Sequence, residues 1–261
     1  MSDDVVLYEA SDRIATVTLN RPDARNALSR AVQRGLWQAL EQADGDDDVD
    51  VVILTGADPA FCAGIDLKEL GSGAADIKAS VSDVTRRRGP FPEVAKPVIG
   101  AINGVAVTGG FEVALNCDFL IASERARFAD THSRVGIQPG WGLTVLLAEA
   151  VGVRRAKELS ATGNFLDAPT ALSWGLVNHV VPHDELLPYC RSLASDIISN
   201  DQAGVRRIVR TYDEGFLLAG DAAWTNELQV SGDWLRDGHG SAESVEERRR
   251  AIMERGRAQT S

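Results

Sequence analysis

Two short runs constrain the fold of this chain more than anything else in it: "VVILTG" at 51–56 and "PVIGAI" at 97–102. Both are dominated by apolar, largely β-branched residues and bounded by Gly or Pro, the pattern of strands buried in a core. Around them the periodicity alternates. "VVLYEA" and "IATVTLN" read as a hairpin pair, and "NRPDARNAL" as a turn rich in Asn and Pro. From Ser29, an N-cap by residue type, Val32, Leu36, Ala39, Leu40 and Ala43 recur at helical spacing up to the acidic stretch "DGDDDVD", which reads as a solvated loop. Strands alternating with helices predict an α/β architecture.

Beyond residue 140 the pattern is mainly helical. "WGLTVLLAEAVG" and "VRRAKELSAT" are helices, Asp167 caps "APTALSW" with Gly175 as its stop, and "LVNHVV" is a short strand. From Asp184 onward only helices are expected, at 184–199, 201–218 and 221–236, then one opened by the capping box Ser244, Val245, Glu246, Glu247. Their apolar faces, Val205, Ile208 and Val209, then Trp224, Leu228, Trp234 and Leu235, exceed what a small terminal layer buries and suit a subunit interface. The segment before "PVIGAI", with small residues and the cationic trio Arg86, Arg87 and Arg88, reads either as a mobile flank of a site or as a solvated surface helix.

Composition narrows the function. The 261 residues, 44% hydrophobic, suffice for one sizeable core. With 38 acidic against 27 basic side chains, the net charge of −11 argues against a broad nucleic-acid surface. Cys62, Cys117 and Cys190 lack CxxC or Cys/His spacing, so neither a disulfide framework nor a zinc site is expected, and the thiols read as reduced. "MSDDVVLYEA" has acids where a secretory signal needs a basic region, which points to the cytoplasm. The most apolar stretch, 97–115, carries Asn103, Glu112 and several glycines, and reads as a buried strand–turn–helix rather than a membrane span.

That stretch is also where chemistry is expected. "GADPAFCAGIDLKEL" follows one buried strand and "NGVAVTGGFEVAL" the other. Ligands of α/β folds gather where loops leave strands, and glycine there lets backbone approach them. If "GGFEVAL" opens a helix near Gly109, its unpaired N–H groups favour a developing negative charge. Neither loop is a GxGxxG, a P-loop or a GxSxG elbow. Glu112, an acid in an apolar run, has to be used or neutralised.

In order along the chain, "NRPDARNAL", "VVILTGADPAFCAGIDLKEL", "KPVIGAINGVAVTGGFEVALNCDFLIASERARFA", "VGIQPGWG" and "ALSWGLVNHVVP" resemble the enoyl-CoA hydratase/isomerase, or crotonase, superfamily over residues 14–190. The resemblance implies the α/β, ClpP/crotonase-like fold of repeated ββα units in two sheets. It implies an acyl-CoA-binding core at 1–198 and a helical C-terminal oligomerisation region at 199–261 that builds a homotrimer or homohexamer. It further implies an oxyanion hole, in which the backbone N–H groups of Ile65 and Gly109 hold an acyl-CoA thioester oxygen. CoA would lie along Ala24, Arg25, Asn26, Ala63, Asp66, Leu67 and Lys68. CoA is part of the substrate, and no separate cofactor or metal is implied. Ile65, where the family often has a small residue, would narrow the acyl pocket, and Trp141 would line it.

Hydratases of this family use two glutamates as acid and base on one water. The first matches Glu112. The position of the second holds His132, an imidazole that can serve as acid or base near neutral pH. Asp130, in the same loop, reads as a solvated or turn-capping residue. Gly140 stands where some isomerases and dehalogenases of the superfamily place an aspartate. The expected function is hydration of trans-2-enoyl-CoA thioesters in fatty acid metabolism, with Glu112 and His132 catalytic. The alternatives are an enoyl-CoA isomerase, a carnitinyl-CoA-like dehydratase and, from another class, a non-catalytic acyl-CoA-binding protein, motivated by the missing glutamate. His179, His183 and His239 match no motif and read as structural or surface residues.

Overall fold

The computed structural model describes residues 4–71 and 89–237 and scattered positions from 241 to 257. Arg86, Arg87, Arg88, His239 and all of the capping box except Glu246 lie outside the described residues.

The hairpin consists of β1 (Val6–Ser11) and β2 (Ile14–Leu19), antiparallel with Ser11 opposite Ile14. Asp12 and Arg13 close it at φ of 54° and 62°, the left-handed pair whose twist suits a two-residue turn. Next comes α1 (Arg30–Gly45), started by the Ser29 hydroxyl accepting the Val32 N–H and buried along Val32, Leu36, Ala39, Leu40 and Ala43. The chain continues through β3 (Val51–Gly56), β4 (Ala60–Cys62), α2 (Leu67–Gly71), β5 (Val98–Ile102), β6 (Val105–Val107) and α3 (Gly109–Leu115). Then follow β7 (Phe119–Ser123), β8 (Arg127–Ala129), α4 (His132–Val135), α5 (Leu143–Val151), α6 (Val153–Thr162), β9 (Leu166–Asp167) and α7 (Ala168–Trp174). The described chain ends with β10 (His179–Val181), α8 (Leu186–Ile198) and the long α9 (Gln202–Arg236).

Among the described residues ten strands form two sheets, a six-stranded one ordered β1-β2-β3-β5-β7-β10 and a four-stranded one ordered β4-β6-β8-β9. The first is parallel beyond its opening hairpin. Alternate residues of its central strands point to opposite sides. Val51, Ile53, Ile99 and Ile121 meet Leu186, Cys190 and Ala194 of α8. Val52, Leu54, Ile102 and Leu120 join a larger core with α1, α3 and the second sheet, including Leu40, Phe111, Phe61 and Phe128. A sheet covered on both faces is the reason 51–56 shows no polar alternation.

Three expectations change. Between β5 and α3 the chain adds a second strand, β6, because at Asn103 and Gly104 it passes from the first sheet into the second. A Cβ on Gly104 would lie 2.5 Å from the Pro59 carbonyl oxygen, so only glycine fits that approach. The helices placed at 201–218 and 221–236 are one helix, α9. Gly220 in the seam costs about 1 kcal/mol against alanine, and no proline is present to break the run. The acidic loop exposes Asp47 and Asp48, but Asp50 is buried and paired with Arg13 and, at 3.1 Å, with Arg206 of α9. The Arg13 hydrogen bond holds the Asp50 carboxyl below its ordinary range despite burial.

On α9, Trp224 and Leu235 turn inward while Ile208 and Tyr212 stay exposed. His183 ties Ser123 to Asp58, at 3.0 Å on each ring nitrogen, and His179 meets the Tyr189 ring at a tilt, with centroids 5.3 Å apart. Both serve packing.

At the start of α3, a Cβ on Gly110 would lie 2.3 Å from the Cys62 carbonyl oxygen and 2.7 Å from the Cys62 Cβ. Gly110→Ala is therefore expected to lower unfolding free energy by on the order of 3 kcal/mol in urea titration. Gly45→Ala, which meets nothing within 4 Å in the last turn of α1, should leave it unchanged or slightly higher.

Candidate active site

Glu112 occupies the first turn of α3 and is 2% exposed. Its Oε1 accepts the backbone N–H groups of Gly140 at 3.2 Å and Trp141 at 2.8 Å. Its Oε2 lies 3.4 Å from Nε2 of His132, a residue 3% exposed that opens α4. The other ring nitrogen of His132, Nδ1, is bonded to Asp130 Oδ1 at 2.7 Å, and the same oxygen accepts the His132 backbone N–H at 3.1 Å. Glu112, His132 and Asp130 thus form one buried row of carboxylate, imidazole and carboxylate.

Burial of the ring opposes its charge, but the hydrogen bonds to Asp130 and Glu112 outweigh it and push the His132 pKa up to about 10. The two carboxylates thus favour the imidazolium form of His132, with one N–H held by Asp130 and the other directed toward Glu112. Burial works against the charge of Asp130 as well, yet the bond to His132, assisted by the Ser160 hydroxyl, holds its carboxyl below the ordinary range. Asp130 is 2% exposed, so the expectation of a solvated residue fails. Its turn-capping half holds, since it caps the His132 N–H. The signal missed was the Asp-x-His spacing, which lets one carboxylate reach both the ring and the backbone of the same histidine.

The second half of the site is backbone. Gly109, the first residue of α3, has around its Cβ position Leu28 at 3.2 Å, Trp141 at 3.3 Å and Ile65 at 3.4 Å. Ile65 is held there by a parallel bridge to Leu28, in which the Leu28 N–H bonds Gly64 and the Asp66 N–H bonds the Leu28 carbonyl. In that pattern the N–H of Ile65 itself points away from the bridge. Neither Ile65 nor Gly109 donates its N–H to another described residue. The Ile65 side chain packs with Val135 and Ile137, at and just beyond the end of α4.

The two segments assigned to CoA are stitched to each other. The Ala63 N–H bonds the Arg25 carbonyl at 2.9 Å, and Arg21 pairs with Asp66 at 3.0 Å. Asn26 is fully buried: its Nδ2 bonds the carbonyls of Ala57 and Ala60, and its Oδ1 takes the Arg21 N–H, so it shapes the loop from inside. Asp66 also accepts the Lys68 N–H at 3.0 Å. Ala24, Ala63 and Leu67 are half-buried, whereas Arg25 and Lys68 are exposed cations. Trp141, with Leu28, Val113 and Trp37, lines one side of an open cavity of about 430 Å³ whose other side is polar, with Arg30, Arg34 and Glu41 of α1; Trp141 and Leu28 also flank Gly109. Among the described residues, no group of three or more His, Cys, Asp or Glu could hold a metal ion, and no helix is long and apolar enough to cross a membrane.

Two sheets of this strand order, joined by helices, define a crotonase-fold protein. The family model for enoyl-CoA hydratase/isomerase matches residues 9–255. A probable peroxisomal enoyl-CoA hydratase 1 of Arabidopsis thaliana is 43% identical over 215 residues, 82% of this chain and 80% of that protein. A solved enoyl-CoA hydratase from Mycobacterium avium superposes with a TM-score of 0.82 at 48% identity, covering 90% of this chain and 98% of that one. A solved carnitinyl-CoA dehydratase from Mycobacterium avium 104 superposes equally, TM-score 0.82, at 32% identity over 95% of this chain and 96% of that one. The chain belongs to the enoyl-CoA hydratase/isomerase family.

Because folding raises the His132 pKa from 6.5 to about 10, its contribution to stability is complete below pH 6.5 and is lost as pH rises through 10. The melting temperature of His132→Gln should therefore fall furthest below that of the parent near pH 6, and the gap should narrow steadily toward pH 10. A constant gap across that range would mean that the ring is not held charged.

Proposed function

We propose that this chain is an enoyl-CoA hydratase, adding water across the double bond of trans-2-enoyl-CoA thioesters in fatty acid metabolism. The observation that carries the reading is the buried Glu112–His132 pair beside the neighbouring N–H groups of Ile65 and Gly109, which no described residue accepts. The hydratase names of relatives support it.

In this reading the two N–H groups form an oxyanion hole for the thioester oxygen and stabilise the enolate-like charge of addition, each worth about a hundredfold to a thousandfold in rate. Glu112 takes a proton from water as the water oxygen bonds to the β-carbon. The His132 Nε2 proton goes to the α-carbon. Return of the proton from Glu112 to His132 restores both groups, so the sum is the addition of one water. CoA lies along the loops of Ala24, Arg25, Ala63, Leu67 and Lys68, with the exposed Arg25 and Lys68 available to its phosphates, while the buried Asn26 and Asp66 hold those loops from within rather than touching it. Trp141 borders the acyl pocket, consistent with its place at the cavity. A homotrimer or homohexamer is supported by the exposed Ile208 and Tyr212 of α9.

A second reading, double-bond isomerisation, uses the same pair without water: Glu112 takes a proton from the α-carbon of a 3-enoyl thioester, His132 gives one to the γ-carbon, and exchange across the 3.4 Å between them restores both groups. Absorbance of the conjugated thioester separates the readings. Hydration bleaches crotonyl-CoA or longer 2-enoyl-CoAs, whereas isomerisation of a 3-enoyl-CoA raises the band. Saturable binding with no turnover on either substrate would leave the non-catalytic acyl-CoA-binding protein. Glu112→Gln should lower kcat by about a hundredfold or more with little change in KM; unchanged turnover would remove Glu112 from the mechanism.

A further inference from the structure

We propose that Asp130 is the positioning residue of the proton-transfer pair, holding the His132 ring by Nδ1 so that the Nε2–H is presented to Glu112 and to the substrate carbon. The inference rests on the reading that Glu112 and His132 move the protons, and it gives a role to a carboxylate that the family pattern leaves without one.

Three observations carry it. Asp130 directly follows β8, whose last residue, Ala129, accepts the Thr108 N–H at 3.1 Å. The carboxylate and Gly109 are therefore set from one pair of neighbouring strand ends, β6 and β8. A single oxygen, Oδ1, takes both the ring N–H at 2.7 Å and the backbone N–H at 3.1 Å of His132, which fixes the ring against rotation. The grip is buried: Asp130, His132 and Glu112 are each 3% exposed or less, so no solvent competes for these bonds. The charges acting on His132 are those of Asp130 on the same loop and Glu112 on α3, while α6 contributes the neutral Ser160 hydroxyl to Asp130.

A group holding a histidine by Nδ1 governs both which nitrogen carries the transferable proton and how firmly the ring keeps it. When Nε2–H is given to the α-carbon, Asp130 retains the Nδ1–H. The ring stays in the tautomer whose free Nε2 can take the proton back from Glu112.

The test compares Asp130→Asn and Asp130→Glu with the parent and with His132→Gln, using crotonyl-CoA and ¹⁵N-histidine NMR. Asp130→Asn should lower kcat about a hundredfold with KM within about threefold, and should move the alkaline limb of the kcat–pH profile down by about one unit or more. A role limited to holding the loop would lower activity without moving the limb. Asp130→Glu, which keeps the charge but displaces the ring, should lose kcat with the limb nearly in place. With only four histidines in the chain, the His132 signal is assigned by its loss in His132→Gln. Its ring titration should fall in Asp130→Asn whether or not the protein turns over. An unmoved titration in Asp130→Asn overturns the proposal. A lowered titration in a protein that hydrates nothing keeps Asp130 as the residue that positions the ring and removes the hydratase reading instead.

Discussion

A carboxylate taken out of water needs donors supplied by the protein, and the Glu112 side chain dictates where three separate parts of this chain must meet. Its Oε1 requires the loop at Gly140 and Trp141, and its Oε2 faces the ring that opens α4. Asn116, at the end of α3, bonds the Trp141 carbonyl at 3.0 Å and the Glu112 carbonyl at 2.8 Å, so the loop is held from a second side. The acid is fixed before any ligand arrives. Geometry of this kind is what transition-state stabilisation requires, because little reorganisation remains for the moment of reaction.

The scaffold beneath depends on close backbone approach. Gly110 abuts Cys62, Gly64 at φ 84° abuts the Val107 carbonyl, and Gly56 abuts the carbonyls of Ala60 and Phe61. A side chain at Gly56 would push the second sheet from the first, one at Gly64 would part the ends of β4 and β6, and one at Gly110 would lift α3 off β4. The hydroxyls of Thr108 and Thr131 are hydrogen-bonded to each other across the ends of β6 and β8, linking the residue before Gly109 to the residue before His132. The backbone half and the side-chain half of the site are thus one unit.

What could be read in advance follows element length and burial. The strands at 51–56 and 98–102, the face of α1 and the caps at Ser29 and Asp167 were legible because each leaves a pattern several residues long. The strands of the second sheet span two or three residues and leave none, so only the resemblance implied that sheet. Glu112 was legible as an acid in apolar company, and the place of His132 through the motif around it. Asp130 was not, since a loop aspartate looks the same whether it caps a turn in water or grips a buried ring. The same ambiguity hid Asp50, whose partners Arg13 and Arg206 come from distant parts of the chain.

The indole of Trp224 rests directly on Gly142, with its Cη2 2.4 Å from where a Cβ would stand at that residue's φ of 96°. Trp141 lies one residue earlier, beside Gly109. Two of the chain's five tryptophans therefore bracket the loop that holds Glu112. The long last helix is thus a partner to the site rather than a bystander, since that loop cannot shift toward it without displacing the Trp224 indole that rests on it.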